Sequence, residues 1–293
     1  MRRVLFWLTI NGEVRSVSSY LFFGVLAAVY LFGAVIRHVK KEKKQVKENN
    51  GIDSIEGFGK LSAHQLTTAI FLSIAAYLMG ARLLYAILYM PRIIEMPGRL
   101  VEMQLRNFSL HGGLLAVLVL WWRFSRRWQL LLPSITDPLV SHAGVAIAIM
   151  RMGCFFNGCC YGKPTDLPWG MVFPLAENNA VTRLVGINVM SAFLGASATL
   201  RHPTQLYEMA VALLASFTAA AFLHIGQKGH KVPGLATAVF GLVFSAGRLL
   251  VFFFRDFPSA TEISNLIRGP VVYGLSLLIF SLWIWRIQQK RYV

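Results

Sequence analysis

Long uncharged apolar runs, most of them closed by cations, set the pattern of this chain. The first is Tyr20 to Ile36, followed by Arg37, Lys40, Lys41, Lys43, Lys44 and Lys47. A second extends from about Gln65 to Tyr89, interrupted by Arg82, and a third covers about Phe108 to Trp122, closed by Arg123, Arg126 and Arg127. A fourth starts near Leu139 and reaches Met150, where Arg151 opens a Gly- and Cys-rich stretch. Leu206 to Ile225, Gly234 to Phe254 and Gly269 to Trp285 complete the series. Runs of this length approach the roughly 30 Å of a bilayer core, where only helices satisfy their own backbone groups. The pattern therefore predicts an all-α integral membrane fold with about seven transmembrane helices. Residues 1–293 form one polytopic membrane domain, with an extracytoplasmic motif loop over 151–201. The segment Leu184 to Leu200 is apolar but short and broken by Asn188 and Ser191. An interfacial or re-entrant helix is expected there, because a full span would carry Lys228, Lys231 and the basic C-terminus to the outside.

Composition excludes a soluble reading. Of 293 residues, 56% are apolar and 14% charged, with a mean hydropathy of +0.56. Soluble domains run near 45–50% apolar and about 25% charged. The net charge of +16 would suggest nucleic acid in a soluble protein. In a membrane protein it points to topology and anionic lipid, so no nucleic-acid partner is expected. The three cysteines all lie between Cys154 and Cys160 and do not form a disulfide framework. The apolar run Val4 to Ile10 leads into Asn11-Gly12-Glu13 rather than a small-residue cleavage site, so it does not read as a cleaved signal. Cation clusters at 40–47 and 123–127 flank span ends and favour an N-out, C-in orientation.

Ionisable residues at membrane depth are costly and therefore functional candidates. Here they are Arg82, His111, Arg151, Arg201, His202, Glu208 and Arg248. Arginine presents a planar fork that matches phosphate oxygens bidentately, so several at helix ends would suit a phospholipid headgroup. The competing reading is snorkelling, or pairing with a carboxylate such as Glu208 or Asp256. His111-Gly112-Gly113 opens the third span, with glycines that allow close helix approach and a histidine able to serve as general base or to pack internally. The stretch Arg151 to Gly162 has closely spaced small residues and is expected to be irregular backbone lining a buried cavity. In Arg201-His-Pro-Thr-Gln-Leu-Tyr207-Glu208, Pro203 fits a helix N-terminus, and Glu208 falls near the first turn, where the helix dipole favours a carboxylate.

With these residues the sequence resembles the bacterial prolipoprotein diacylglyceryl transferases, in matching order from roughly Tyr20 to Phe254. The likeness rests on Gly80-Ala-Arg82-Leu, Ser109-Leu-His111-Gly-Gly-Leu and Arg151-x-Gly-x-Phe-x-Asn157-Gly158. It rests equally on Trp169-Gly-Met-Val-Phe-Pro174, on Arg201 to Glu208, and on Gly247-Arg248 with Phe253-Phe254-Arg255. The resemblance implies seven spans, N-out and C-in, in the bacterial cytoplasmic membrane. It implies transfer of a diacylglyceryl group from phosphatidylglycerol to the thiol of a lipobox cysteine in a prolipoprotein signal peptide. Arg151 and Arg248 then occupy positions acting on the headgroup, and His111 and Tyr20 complete the catalytic candidates. Arg82, Asn157, Gly162, Arg201, His202, Tyr207 and Glu208 are the substrate-binding candidates. No cofactor and no metal are expected.

Four positions depart from that family. Cys154 stands where Asn is usual, Cys159 and Phe252 where Glu is usual, and Phe244 where Tyr is usual. Three readings therefore accompany the transferase: a related lipid-group transferase with another acceptor, a non-catalytic phospholipid-binding paralogue, and a redox or metal site built on the cysteines. Adjacent cysteines form a strained disulfide, and zinc takes four ligands, so a metal would need His111 or His202.

Overall fold

The computed structural model describes residues 4–10, 13–48, 61–88, 90, 94, 98, 110–173, 199–228, 232–256 and 267–289. An antiparallel hairpin comes first. Its strands β1 (Val4–Ile10) and β2 (Glu13–Ser18) pair from Val4 opposite Ser18 to Ile10 opposite Glu13. Helices follow: α1 (Ser19–Glu48), α2 (Ala63–Leu88), α3 (Leu110–Trp128), α4 (Leu132–Asn157), α5 (Thr204–Lys228), α6 (Leu235–Phe254) and α7 (Val272–Gln289). The π-helical turn Ile267–Val271 leads into α7. The expected all-α membrane architecture is thus present, preceded by a short hairpin. Among the described residues, six helices are long and apolar enough to cross a membrane. The exception is α3, whose last turns hold Arg123, Arg126 and Arg127. The expected segment 184–200 lies outside the described residues except for Thr199 and Leu200.

Two helices run further than their apolar runs. Lysine is a good helix former, so α1 continues through the basic cluster, supported by an i,i+4 contact of 2.9 Å between His38 and Glu42. Likewise α4 does not end at Met150. It passes through Arg151, Gly153 and Cys154 to Asn157, which corrects the expectation of irregular backbone from Arg151 onward. The break comes at Gly158, with φ of 68°. There Gly158 N–H donates to the Phe155 carbonyl (3.0 Å) and Cys159 N–H to the Cys154 carbonyl (3.2 Å), the two bonds of a Schellman end.

The chain forms two compact units, residues 37–135 and residues 1–36 with 136–293. In the first, α2 packs against α3. Ser62 and Gln65 form a reciprocal capping box at the start of α2 (3.1 and 2.9 Å). The Gly80 and Gly112 backbones face each other with no room for a side chain, as the two glycines after His111 suggested.

In the second unit, α5 packs on α6 and α6 on α7. Ala212, Ala215 and Ala219 are fully buried along one side of α5, the small-residue contact expected between membrane helices. Ser216 inserts its hydroxyl between α4 groups, accepting from Gly144 N–H (2.8 Å) and donating to the Val140 carbonyl (2.9 Å). Buried Asp137 on α4 holds the start of α6, accepting from Gly234 N–H (2.7 Å), Thr237 N–H (2.9 Å) and the Thr237 hydroxyl (2.5 Å). Leu275, Leu278, Ile279 and Leu282 stay exposed at i, i+3, i+4, i+7 spacing, an apolar stripe of the kind lipid covers.

Candidate functional site

The second unit's polar centre is built around one carboxylate. Glu208, in the second turn of α5, is 2% exposed. Three guanidiniums from different places meet it. Arg151 of α4 brings Nε to 2.5 Å from Oε2. Arg248 of α6 contacts Oε1 through Nη1, and Arg255, just past α6, reaches Oε1 through Nη1 at 2.8 Å. Arg248 also donates from Nε to the Tyr273 hydroxyl (3.1 Å) and lies over that ring at 5.4 Å. One carboxylate thus faces three guanidiniums, leaving surplus positive charge in a place with little water. Arg151 and Arg248, chosen from the sequence as headgroup residues, are brought together, and they also make the carboxylate pairing weighed against that role.

A second cluster adjoins the first through the backbone. Gly162 N–H donates to the His202 carbonyl (2.8 Å), and Lys163 N–H donates to the Phe254 carbonyl (2.9 Å). His202 N–H in turn donates to the Lys163 carbonyl (3.1 Å), and Arg201 exchanges both backbone bonds with Met171 (2.9 Å each). These bonds tie the segment after α4 to the strand-like approach to α5 and to the exit of α6. A side chain at Gly162 would meet the Phe254 carbonyl, the Cβ of His202 and Thr204, which is why glycine stands there. Arg201 pairs with Asp256 (2.6 Å), donates to the Gly162 carbonyl (3.3 Å) and lies over the Tyr161 ring at 5.1 Å. The Tyr207 hydroxyl bridges Trp169 Nε1 (2.8 Å) and His202 Nδ1 (3.1 Å). Beside it opens a groove of about 590 Å³ whose walls include Trp169, Met171, Leu206 and Tyr207.

Of the sequence candidates, Arg151, Gly162, Arg201, His202, Tyr207, Glu208 and Arg248 fall in these two linked clusters. Asn157 ends α4 with its amide in hydrogen-bond reach of the Cys159 thiol. Arg82 and His111 belong to the first unit, on α2 and α3. Arg82 is half-buried, while the side chains of His111 and Tyr20 lie outside the described residues. Arg255 was not among the candidates. Its signal was present, a cation directly after the apolar run of α6 and inside a motif already noted.

The departures from the family pattern also have places. Phe244 stacks on Phe240 at 5.6 Å, and Phe252 packs against Gly269, so both positions are filled by apolar contact. Cys154, Cys159 and Cys160 are free thiols with sulfurs within 4.8 Å of one another. The Cys160 thiol, just beyond α4, is held far below its ordinary range by hydrogen bonds from Cys154 and Cys159, aided by the charges of Arg255 and Arg151.

Fold and site together define a multi-pass helical membrane protein with an arginine cluster around one buried carboxylate. Residues 4–287 match the prolipoprotein diacylglyceryl transferase family, and the chain belongs to it. Similar proteins include the phosphatidylglycerol–prolipoprotein diacylglyceryl transferase of Nitrosomonas europaea, 29% identical over 68% of this chain and 63% of that protein. The enzymes of the same name from Ruegeria pomeroyi (29% identical, 75% of each chain) and Rhizobium meliloti (28% identical, 80% of this chain and 77% of that one) are similar too. The chain thus spans less than two thirds of the Nitrosomonas protein's length.

Proposed function

We propose that this protein transfers the diacylglyceryl group of phosphatidylglycerol to the thiol of a lipobox cysteine in a prolipoprotein signal peptide. The observation that supports this reading is the convergence of Arg151, Arg248 and Arg255 on Glu208, which leaves surplus positive charge for a phosphate. In the reaction a thiolate sulfur attacks the glyceryl carbon that carries the phosphate ester oxygen. A carbon–sulfur bond forms, the carbon–oxygen bond breaks, and its electron pair leaves with glycerol phosphate. The thiol proton passes to a base, for which His111 is the candidate. Charge grows on the phosphate as the bond breaks, so guanidiniums already in place contribute most in the transition state. The groove beside Tyr207 suits the acyl chains or the apolar part of a signal peptide.

The same proposal places the protein in the bacterial cytoplasmic membrane, N-out and C-in. Single cysteines at Gln45 and at Glu262, each in a chain whose three native cysteines are replaced by serine, test this on intact cells: an impermeant reagent should label only the second, and labelling at 45 refutes the orientation. For activity, purified protein is incubated with phosphatidylglycerol and a lipobox peptide. The expected products are a thioether-linked diacylglyceryl peptide and free glycerol phosphate. Phospholipid binding without thioether favours the non-catalytic reading, for which the apolar packing of Phe244 and Phe252 is the specific support.

A further inference from the structure

No step of the proposed transfer runs through the three cysteines, yet the fold builds a site from them. Cys154 and Cys159 occupy the two ends of the Schellman bond that closes α4, so the backbone itself sets them side by side. Cys160 follows with φ of 64°, a left-handed conformation that a non-glycine residue adopts only where its surroundings enforce it. Those surroundings are on α5. The Thr204 hydroxyl donates to the Cys160 carbonyl (2.7 Å) and Gln205 Nε2 to the Cys159 carbonyl (2.6 Å), and both residues are fully buried. The result is three sulfurs within 4.8 Å of one another, one on a residue 2% exposed and two on half-buried residues.

We infer that Cys154, Cys159 and Cys160 form a three-thiolate site for one soft, thiophilic cation of the Cu(I) class. A trigonal ion with metal–sulfur bonds of about 2.3 Å needs sulfurs about 4.0 Å apart, which small side-chain rotations from the present arrangement supply. Among the described residues no histidine or carboxylate joins the group, and those residues supply three donors. That number suits three-coordinate Cu(I) and leaves a structural zinc site one ligand short. Three thiolates around a monovalent ion carry a net charge of −2. The guanidinium of Arg151, with Nη1 at 3.9 Å from the Cys154 sulfur, and the nearby charge of Arg255 lower the cost of that charge. A disulfide would use two of the sulfurs and strand the third, whereas a cation uses all of them.

The test uses the full chain in detergent, reduced and kept free of oxygen. Cu(I) is supplied from a chromogenic Cu(I) chelator, and uptake is followed by loss of the chelate colour and growth of ultraviolet thiolate-to-copper absorption. The expected result is one Cu(I) per chain with that absorption. Cys159→Ser and Cys160→Ser should each weaken uptake at least tenfold while melting as the parent protein does. Cys154→Ser serves as a third variant, with melting read alongside because that residue is buried. Failure of the parent to take Cu(I) from the chelator overturns the site. So does uptake unchanged in the Cys159 and Cys160 variants, or Zn(II) holding the site against Cu(I), which would require a fourth ligand.

Discussion

Glu208→Gln isolates the charge at the centre of the site. The substitution keeps the shape of the side chain and removes the one negative charge that three guanidiniums share. Glu208 is 2% exposed, and the Arg151, Arg248 and Arg255 side chains are 15%, 13% and 18% exposed, so water replaces little of what is lost. Breaking a buried ion pair by neutralising one partner costs about 3–5 kcal/mol, because the other charge stays buried and unpaired. Arg248 keeps the Tyr273 hydroxyl and ring, which argues for the lower end of that range. At roughly 2–4 °C per kcal/mol for a large domain, 3 kcal/mol corresponds to a loss of about 6–12 °C in melting temperature. The assay is thermal unfolding in one detergent, with and without glycerol phosphate. An anion that binds the uncompensated guanidiniums binds only the folded state, and at a hundredfold excess over its Kd returns about 2.7 kcal/mol. A variant melting within about 2 °C of the parent refutes the view that Glu208 is the counter-charge holding the cluster.

Other consequences are read in the same preparations. Asp137→Ala removes three hydrogen bonds that anchor α6 on α4, so stability should fall by about 2–3 kcal/mol while turnover of the folded fraction is kept. Lost turnover at unchanged melting would contradict that purely structural role. Gly162→Ala forces a methyl against the Phe254 carbonyl and His202. It should cost about 1–3 kcal/mol and raise KM for phosphatidylglycerol, as measured by peptide lipidation over a lipid series. Tyr207→Phe removes the hydroxyl between Trp169 and His202, and intrinsic tryptophan fluorescence should report a loosened Trp169 with global stability lowered by less than about 2 kcal/mol.

How much of this was legible beforehand follows from what kind of information each feature needs. The spans were legible because bilayer burial demands long uncharged runs. Their ends were not, since Lys extends α1 and α4 passes through Gly153 and Cys154 before a Schellman turn stops it. The buried arginines were visible as costly residues, and pairing with Glu208 or Asp256 was one of two readings left open. Which Arg takes which carboxylate depends on how α4, α5 and α6 pack, and no local pattern encodes it. Arg255 was missed for the same reason: at a span end it reads as topology, and only the backbone bridge from Gly162 turns it inward.

The two readings of the arginines, carboxylate pairing and phosphate grip, are compatible once charges are counted. Glu208 neutralises one of three guanidiniums, so it can assemble the cluster without saturating it. A carboxylate in this position lowers the cost of burying three like charges, and it fixes their forks toward one point. Substitution at Arg248 separates the contributions. Arg248→Ala removes the contact with Glu208 and, on the proposed function, a donor to the phosphate, and loss of one such donor costs about 10²–10³ in turnover. Arg248→Lys keeps the charge, so it should restore most of the melting temperature. It loses the planar fork that bonds Tyr273 through Nε while Nη1 reaches Glu208, so it should restore only a small part of the turnover. Full recovery of both by lysine would reduce Arg248 to a counter-charge, and the phosphate would then have to be held by Arg151 and Arg255.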